Sequence, residues 1–193
     1  MDLYFNNGDP LNALLRDERK RTLYLVDTPF AFVDKVTTLT KYAYDNAGRM
    51  DHGRVVARFE WHVFSDTRFE FEGQLYTAKA FLQKHSRGRQ HHFQGLDGRP
   101  YKWKWGSKAP SLRVNDGSET VIAEYHRRSL GFLNSAHDPY LRVSPQGMHM
   151  LDLIVATFIF VEKKRLDAQR RRNNANTSMA SASMTAGAVA STF

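Results

Sequence analysis

The chain contains no cysteine. Disulfides, thiol nucleophiles and cysteine-based zinc sites are therefore excluded, and a reducing compartment is the natural setting. Long apolar runs are scarce as well. The longest, Met150 to Val161, is interrupted by Asp152 and Thr157 and is shorter than the roughly 20 apolar residues a bilayer-spanning helix needs. The segment Met1 to Pro10 has neither the basic nor the apolar region of a secretory signal, residue 2 is Asp2 rather than a glycine for myristoylation, and Ser191-Thr192-Phe193 forms no prenylation box. These features predict a cytoplasmic protein, with the membrane periphery or the nucleus as places to which its charge could take it.

Catalytic signatures are lacking too. There is no His-Glu-x-x-His spacing, no Gly-x-Ser-x-Gly elbow and no glycine-rich phosphate cradle. His91 and His92 are adjacent, so on a strand they point to opposite faces and cannot chelate one ion together. Glu60, Glu70, Glu72 and Glu124 sit on alternating segments whose exposed faces account for them. No catalytic residue, metal ligand or cofactor site is nominated, and the expectation is a non-enzymatic module; an enzyme or small-ligand carrier with a pocket at a barrel mouth is the alternative.

What is present reads as short strands between turns. Hydrophobic residues make up 41% of the chain and aromatics 12%, enough for a real core. Strands are predicted over 3–5, 23–26, 36–44, 55–64, 68–71, 74–76, 90–93, 101–105, 112–114, 120–126 and 140–143. In the clearest of them Val55, Ala57, Phe59, Trp61 and Val63 alternate with Val56, Arg58, Glu60, His62 and Phe64, and the first set is expected to face inward. Glu72-Gly73 and Asn115-Asp116-Gly117 mark turns, and Asp97-Gly98 predicts a two-residue type I′ hairpin. Residues 77–85 read as one short helix.

The texture changes at Ser144-Pro145, a hydroxyl cap followed by proline at a first helical position. A helix is predicted over about 145–172. Leu151, Ile154, Val155, Phe158 and Val161 leave it no water-facing side in its apolar part, so it should be the centre of a core. Residues 173–193 carry no charge and consist mainly of Ala, Ser, Thr, Asn and Met, which predicts a disordered tail behind a single domain of residues 1–172.

The formal net charge is +8 and the pI about 9.8, which favours acidic partners: anionic lipid headgroups, an acidic protein or nucleic acid. Basic residues interleave with aromatics from Arg87 onward, and Arg87, Arg89, Arg99, Lys102, Lys104, Lys108 and Arg113 are the candidate anion-binding residues. The aromatics among them, Phe93, Tyr101, Trp103 and Trp105, are read as core.

Many short strands followed by one helix apolar on every face is the order a closed antiparallel β-barrel around a central helix requires. It resembles the tubby C-terminal-like superfold shared by tubby, phospholipid scramblases and the plant LURP-one-related proteins. More closely, the chain is similar to a family of uncharacterised fungal domains common in basidiomycetes. The similarity lies in Leu23-Tyr24-Leu25-Val26-Asp27-Thr28-Pro29, Phe59-Glu60-Trp61-His62, Asp97-Gly98-Arg99-Pro100-Tyr101-Lys102-Trp103 and Leu151-Asp152-Leu153-Ile154-Val155-Ala156-Thr157-Phe158, running into Glu162-Lys163-Lys164-Arg165. The resemblance implies a mainly β, closed barrel. It implies phosphoinositide binding only by analogy of fold, since no lipid-contacting motif of tubby and no acidic calcium segment of scramblases maps onto these residues.

Overall fold

The computed structural model describes residues 1–31, 34–62, 65–85, 89–105, 109–129 and 136–189. Its strands are β1 (Asp2–Phe5), β2 (Ala13–Arg16), β3 (Thr22–Asp27), β4 (Lys35–Lys41), β5 (Arg54–Trp61), β6 (Arg68–Phe71), β7 (Gln74–Thr77), β8 (Gln83–His85), β9 (Gln90–Gln94), β10 (Pro100–Lys104), β11 (Ser111–Val114), β12 (Val121–His126) and β13 (Tyr140–Val143). A single turn of helix, α1 (Ala78–Phe81), separates β7 from β8; a 3-10 segment over Pro145–Met150 leads into the long helix α2 (Leu151–Val189). The strands form one 13-stranded antiparallel sheet in the order β7-β6-β5-β4-β3-β2-β1-β13-β12-β11-β10-β9-β8. Hairpins make most neighbours; β1 and β13 join parts of the chain far apart in sequence. The contacts divide the chain into two compact units, Met1–Val161 and Glu162–Phe193.

In the first unit, alternation along the strands turns one face of the sheet onto the start of α2. Leu153 to Phe160 and Val161 are buried. Phe158 packs against Phe5 of β1, Trp103 of β10 and Tyr125 of β12, with ring centroids 5.8, 5.9 and 4.9 Å apart. Phe160 meets Phe59 and Trp61 of β5 and His91 of β9. Strands so widely separated in the order reach one helix only if the sheet curls round it. The buried indoles of Trp103 and Trp61 are paired, as burial demands. The Trp103 indole donates to Thr157 Oγ1 at 2.9 Å, and that hydroxyl donates to the Leu153 carbonyl at 2.8 Å. The Trp61 indole donates to Thr37 Oγ1 at 2.7 Å, which in turn meets Thr28 Oγ1 at 2.7 Å.

The start of α2 is anchored by charge. Asp152 accepts from the Tyr24 hydroxyl at 2.5 Å and from Lys41 Nζ at 3.0 Å, with Arg54 at 3.8 Å. Burial, and then the negative charge of Asp152, push the Tyr24 hydroxyl far above its ordinary range.

Several expectations change. Val55 is 54% exposed while Val56 is buried, because the β4–β5 register shifts between Leu39 and Thr40 and the extra residue is Val56; such a bulge reverses the faces beyond it. Ala57, Phe59 and Trp61 do face inward, and Val63 lies outside the described residues. The helix expected over 77–85 is only α1, after which Gln83–His85 pairs with β9. Strand β2 went unpredicted. At Asp97-Gly98 only Gly98 has positive φ, and Gly95 N–H donates to the Arg99 carbonyl, so the loop has three residues closed by a left-handed glycine. The two-residue turn with positive φ at both positions is Glu72-Gly73 instead. Ser144 makes no capping bond, and the helix opens as a 3-10 segment. Leu151 is half-buried, unlike Ile154, Val155, Phe158 and Val161. The antiparallel sheet has two edges, β7 and β8, with no ladder between them among the described residues.

In the second unit, Arg165 forks onto Glu162 at 2.7 and 2.6 Å, and Lys163 meets Asp167 at 2.6 Å. The backbone stays helical beyond residue 172 to Val189, through a stretch with no proline and no glycine before Gly187. Among the described residues no helix is long and apolar enough to cross a membrane.

Candidate functional site

Every neighbouring pair in the sheet is antiparallel, so the first and last of its thirteen strands, β7 and β8, run in the same direction. The segment β7-α1-β8 therefore continues one way, pairing first with β6 and then with β9. The β8–β9 ladder begins at Gln83↔His92; Phe93 and Gln94 have partners only on the β10 side. Where the segment has left β6 and not yet reached β9, the wall carries no ladder.

Side chains bridge this seam. Phe81 of α1 lies 5.0 Å from both Phe69 and Tyr76, and 6.2 Å from Phe93, nearly parallel to it at 20°. Phe93 stacks in turn on Tyr101 at 5.8 Å and 28°. Beside this aromatic row opens a slot of about 800 Å³, reaching Leu153 of α2. Phe71, Tyr76, Phe81, Phe93, Tyr101 and Leu96 supply its apolar wall, with Leu96 58% exposed. Gln83, His85, His92, Gln94 and Asn115 supply its polar rim.

The rim is ordered. His85 and His92 stack with centroids 4.0 Å apart. Burial, and then the neighbouring His85, Lys102 and Lys104, push the His92 pKa down, so the ring is neutral at pH 7. Its Nε2 lies 3.1 Å from Gln90 Oε1, and its Nδ1 lies 3.4 Å from Asn115 Nδ2. Gln94 Nε2 donates to the Gly98 carbonyl at 3.0 Å. At the slot's edge Asp97 accepts from the Tyr101 hydroxyl at 2.8 Å, with His149 at 3.4 Å. Burial pulls the Asp97 carboxyl upward, but the bonds from Tyr101 and from the Arg99 amide outweigh it and hold the pKa below the usual value. Burial and that same bond raise the Tyr101 hydroxyl to about 12.

The candidate anion-binding residues lie alongside. Lys102 and Lys104 both pair with Glu119, the latter at 2.6 Å. These two bonds push the Glu119 carboxyl down to about 2. Arg113 donates to the Glu119 carbonyl at 3.0 Å, and Arg99 lies 3.5 Å from Asp116. The turn between β11 and β12 thus supplies acids to the basic strand beside it. Arg89 is exposed; Arg87 and Lys108 lie outside the described residues. Sequence reasoning saw these cations but not their partners, although Asp116 and Glu119 stand in the very next hairpin. It also missed the slot, whose residues come from separate strands. Among the described residues no group of three or more His, Asp and Glu side chains converges as a metal site.

No curated protein and no solved structure matches the chain. A family model does, over residues 8–167, which takes in every strand from β2 to β13 and the apolar part of α2, and the chain accordingly belongs to the family of unknown function DUF6593.

Proposed function

We propose that this domain is a non-catalytic binding module that takes an uncharged, largely apolar ligand in the seam slot. One observation carries the reading: none of the described residues lining the slot is Asp, Glu, Lys or Arg, although these make up 25% of the chain. An ion entering the slot would lose hydration with no charged side chain in the described lining to replace it, whereas an apolar body gains the aromatic wall. In the same reading β7, α1 and β8 act as one interrupted strand that completes a tubby-like barrel around α2. Docking of anionic lipid or an acidic protein is the second reading. It rests on the net charge of +8 and on exposed Arg89, while Lys102, Lys104 and Arg99 already face acids.

An NMR titration of the labelled protein with toluene, benzoate and benzamidinium tests the proposal. Toluene is expected to shift Phe93, Gln94, Leu96 and Tyr101 saturably and the two ions to leave them unmoved. If toluene does nothing there and anionic vesicles bind in a salt-sensitive way, weakened by charge reversal at Lys102, Lys104 and Arg113, the function belongs to the basic surface.

A further inference from the structure

We infer that the slot selects neutral planar rings that carry a hydrogen-bond donor, of the indole or phenol kind. The inference rests on the slot being the binding site and names what that site prefers. Its first ground is shape. Phe81, Phe93 and Tyr101 present successive ring planes tilted by only 20° and 28°. A flat ring can lie along such a row in offset or edge contact, whereas a bulky saturated body cannot stay in register with it.

The second ground is the orientation of the rim amides. A carboxamide offers a donating NH2 and an accepting oxygen. Gln94 gives one N–H to the Gly98 carbonyl, and its Oε1 has no described partner. In neutral His92, Nε2 carries the proton because it faces the acceptor Gln90 Oε1. Nδ1 then has only a lone pair, and Asn115 must turn its NH2 toward it, leaving Oδ1. The Tyr101 hydroxyl is likewise spent, on Asp97. Both His92 nitrogens are occupied. Side-chain bonds thus engage one N–H of Gln94, one of Asn115 and both His92 nitrogens, while the Gln94 and Asn115 oxygens, which have no described partner, remain as acceptors on residues that line the slot; Gln83 and His85 complete the rim with polar groups of their own. An acceptor left facing a bound apolar ring costs desolvation without return, so a ligand N–H or O–H placed there is favoured over its methylated counterpart.

The test compares indole with 1-methylindole on the full chain by NMR titration, following the side-chain amides of Gln94 and Asn115. Indole is expected to bind about tenfold more tightly, the factor that one satisfied hydrogen bond of about 1.4 kcal/mol supplies, and to move both amide signals. Gln94→Leu should narrow the difference while leaving 1-methylindole bound. Equal affinity for the two probes overturns the donor preference and leaves the neutral slot standing. If neither probe perturbs slot residues, the slot reading itself falls. If benzamidinium competes as well as indole, the rim is selecting charge and the inference is wrong.

Discussion

The sheet has two joints that hairpins do not make, and they are built in opposite ways. At β1–β13 the chain brings Asp2 beside Arg142, 140 positions away, with two bonds of 2.9 Å, and a full ladder runs from Asp2↔Arg142 to Tyr4↔Tyr140. At β7–β8 the strands are separated by little more than α1, yet no ladder joins them among the described residues. The reason is direction. Strands running the same way pair only through a crossover of about a dozen residues or more, and α1 is a single turn. Sequence distance is no obstacle to a ladder, whereas parity with a short connector is. The ladder-free joint must then be held by Phe69, Tyr76, Phe81, Phe93 and Tyr101, and rings leave a slot where hydrogen bonds would leave none.

Three measurements sharpen or break the contrast. The largest effect is expected at Phe158, which packs on β1, β10 and β12 and so supports the laddered side. Phe158→Ala should lower unfolding free energy by about 3–5 kcal/mol in urea titration, a large share of the 5–15 typical of a domain. A loss below about 1 kcal/mol would mean the helix is not the core's centre. Phe81→Ala, which removes a half-buried ring from the seam, should cost less, roughly 1–2 kcal/mol. Its signature is local: hydrogen exchange should quicken in β7, α1 and β8 while β1 and β13 stay protected. Uniform loss of protection would show that the seam is no separate unit.

The smallest effect compares two histidines, one at each joint. Burial is the leading cause that lowers both His92, at the seam, and His126, which stacks on Tyr140 of β13 at 4.5 Å. With folded values below the unfolded one of about 6.5, the unfolded chain takes up protons first, so stability falls as pH drops through that value and levels off below the folded values. His92→Gln should flatten the slope of urea midpoints between pH 7.5 and 5.5 and leave the His126 share. An unchanged slope would place the whole effect at the laddered joint.

Much of the fold was legible because it is local. Period-two alternation exposed most strands, and Leu151, Ile154, Val155, Phe158 and Val161, in a run broken only by Asp152 and Thr157, announced a buried helix. Val55 misled because a bulge depends on the partner strand's register, which β5 alone does not encode. Strand β2 was missed because Ala13-Leu14-Leu15-Arg16 has no β-branched or aromatic residue to mark it, and α1 was overextended because Gln83 to His85 is polar on both faces. The basic residues of the site were visible; their neutralisation by Asp116 and Glu119 needed the β11–β12 turn to be placed beside β10.

By itself the sequence determined the β-rich class, the core helix, the turn positions and the lack of cysteine chemistry, since each follows from residue type and short-range periodicity. Tertiary structure alone decided where the sheet has its edges, that Lys102 and Lys104 share Glu119, and that Phe81, Phe93, Gln94 and Asn115 share one slot. Those outcomes depend on strand order and direction, which bring together side chains from β7, α1, β9 and the loop after β11, and strand order is a property of the whole sheet that no single segment carries.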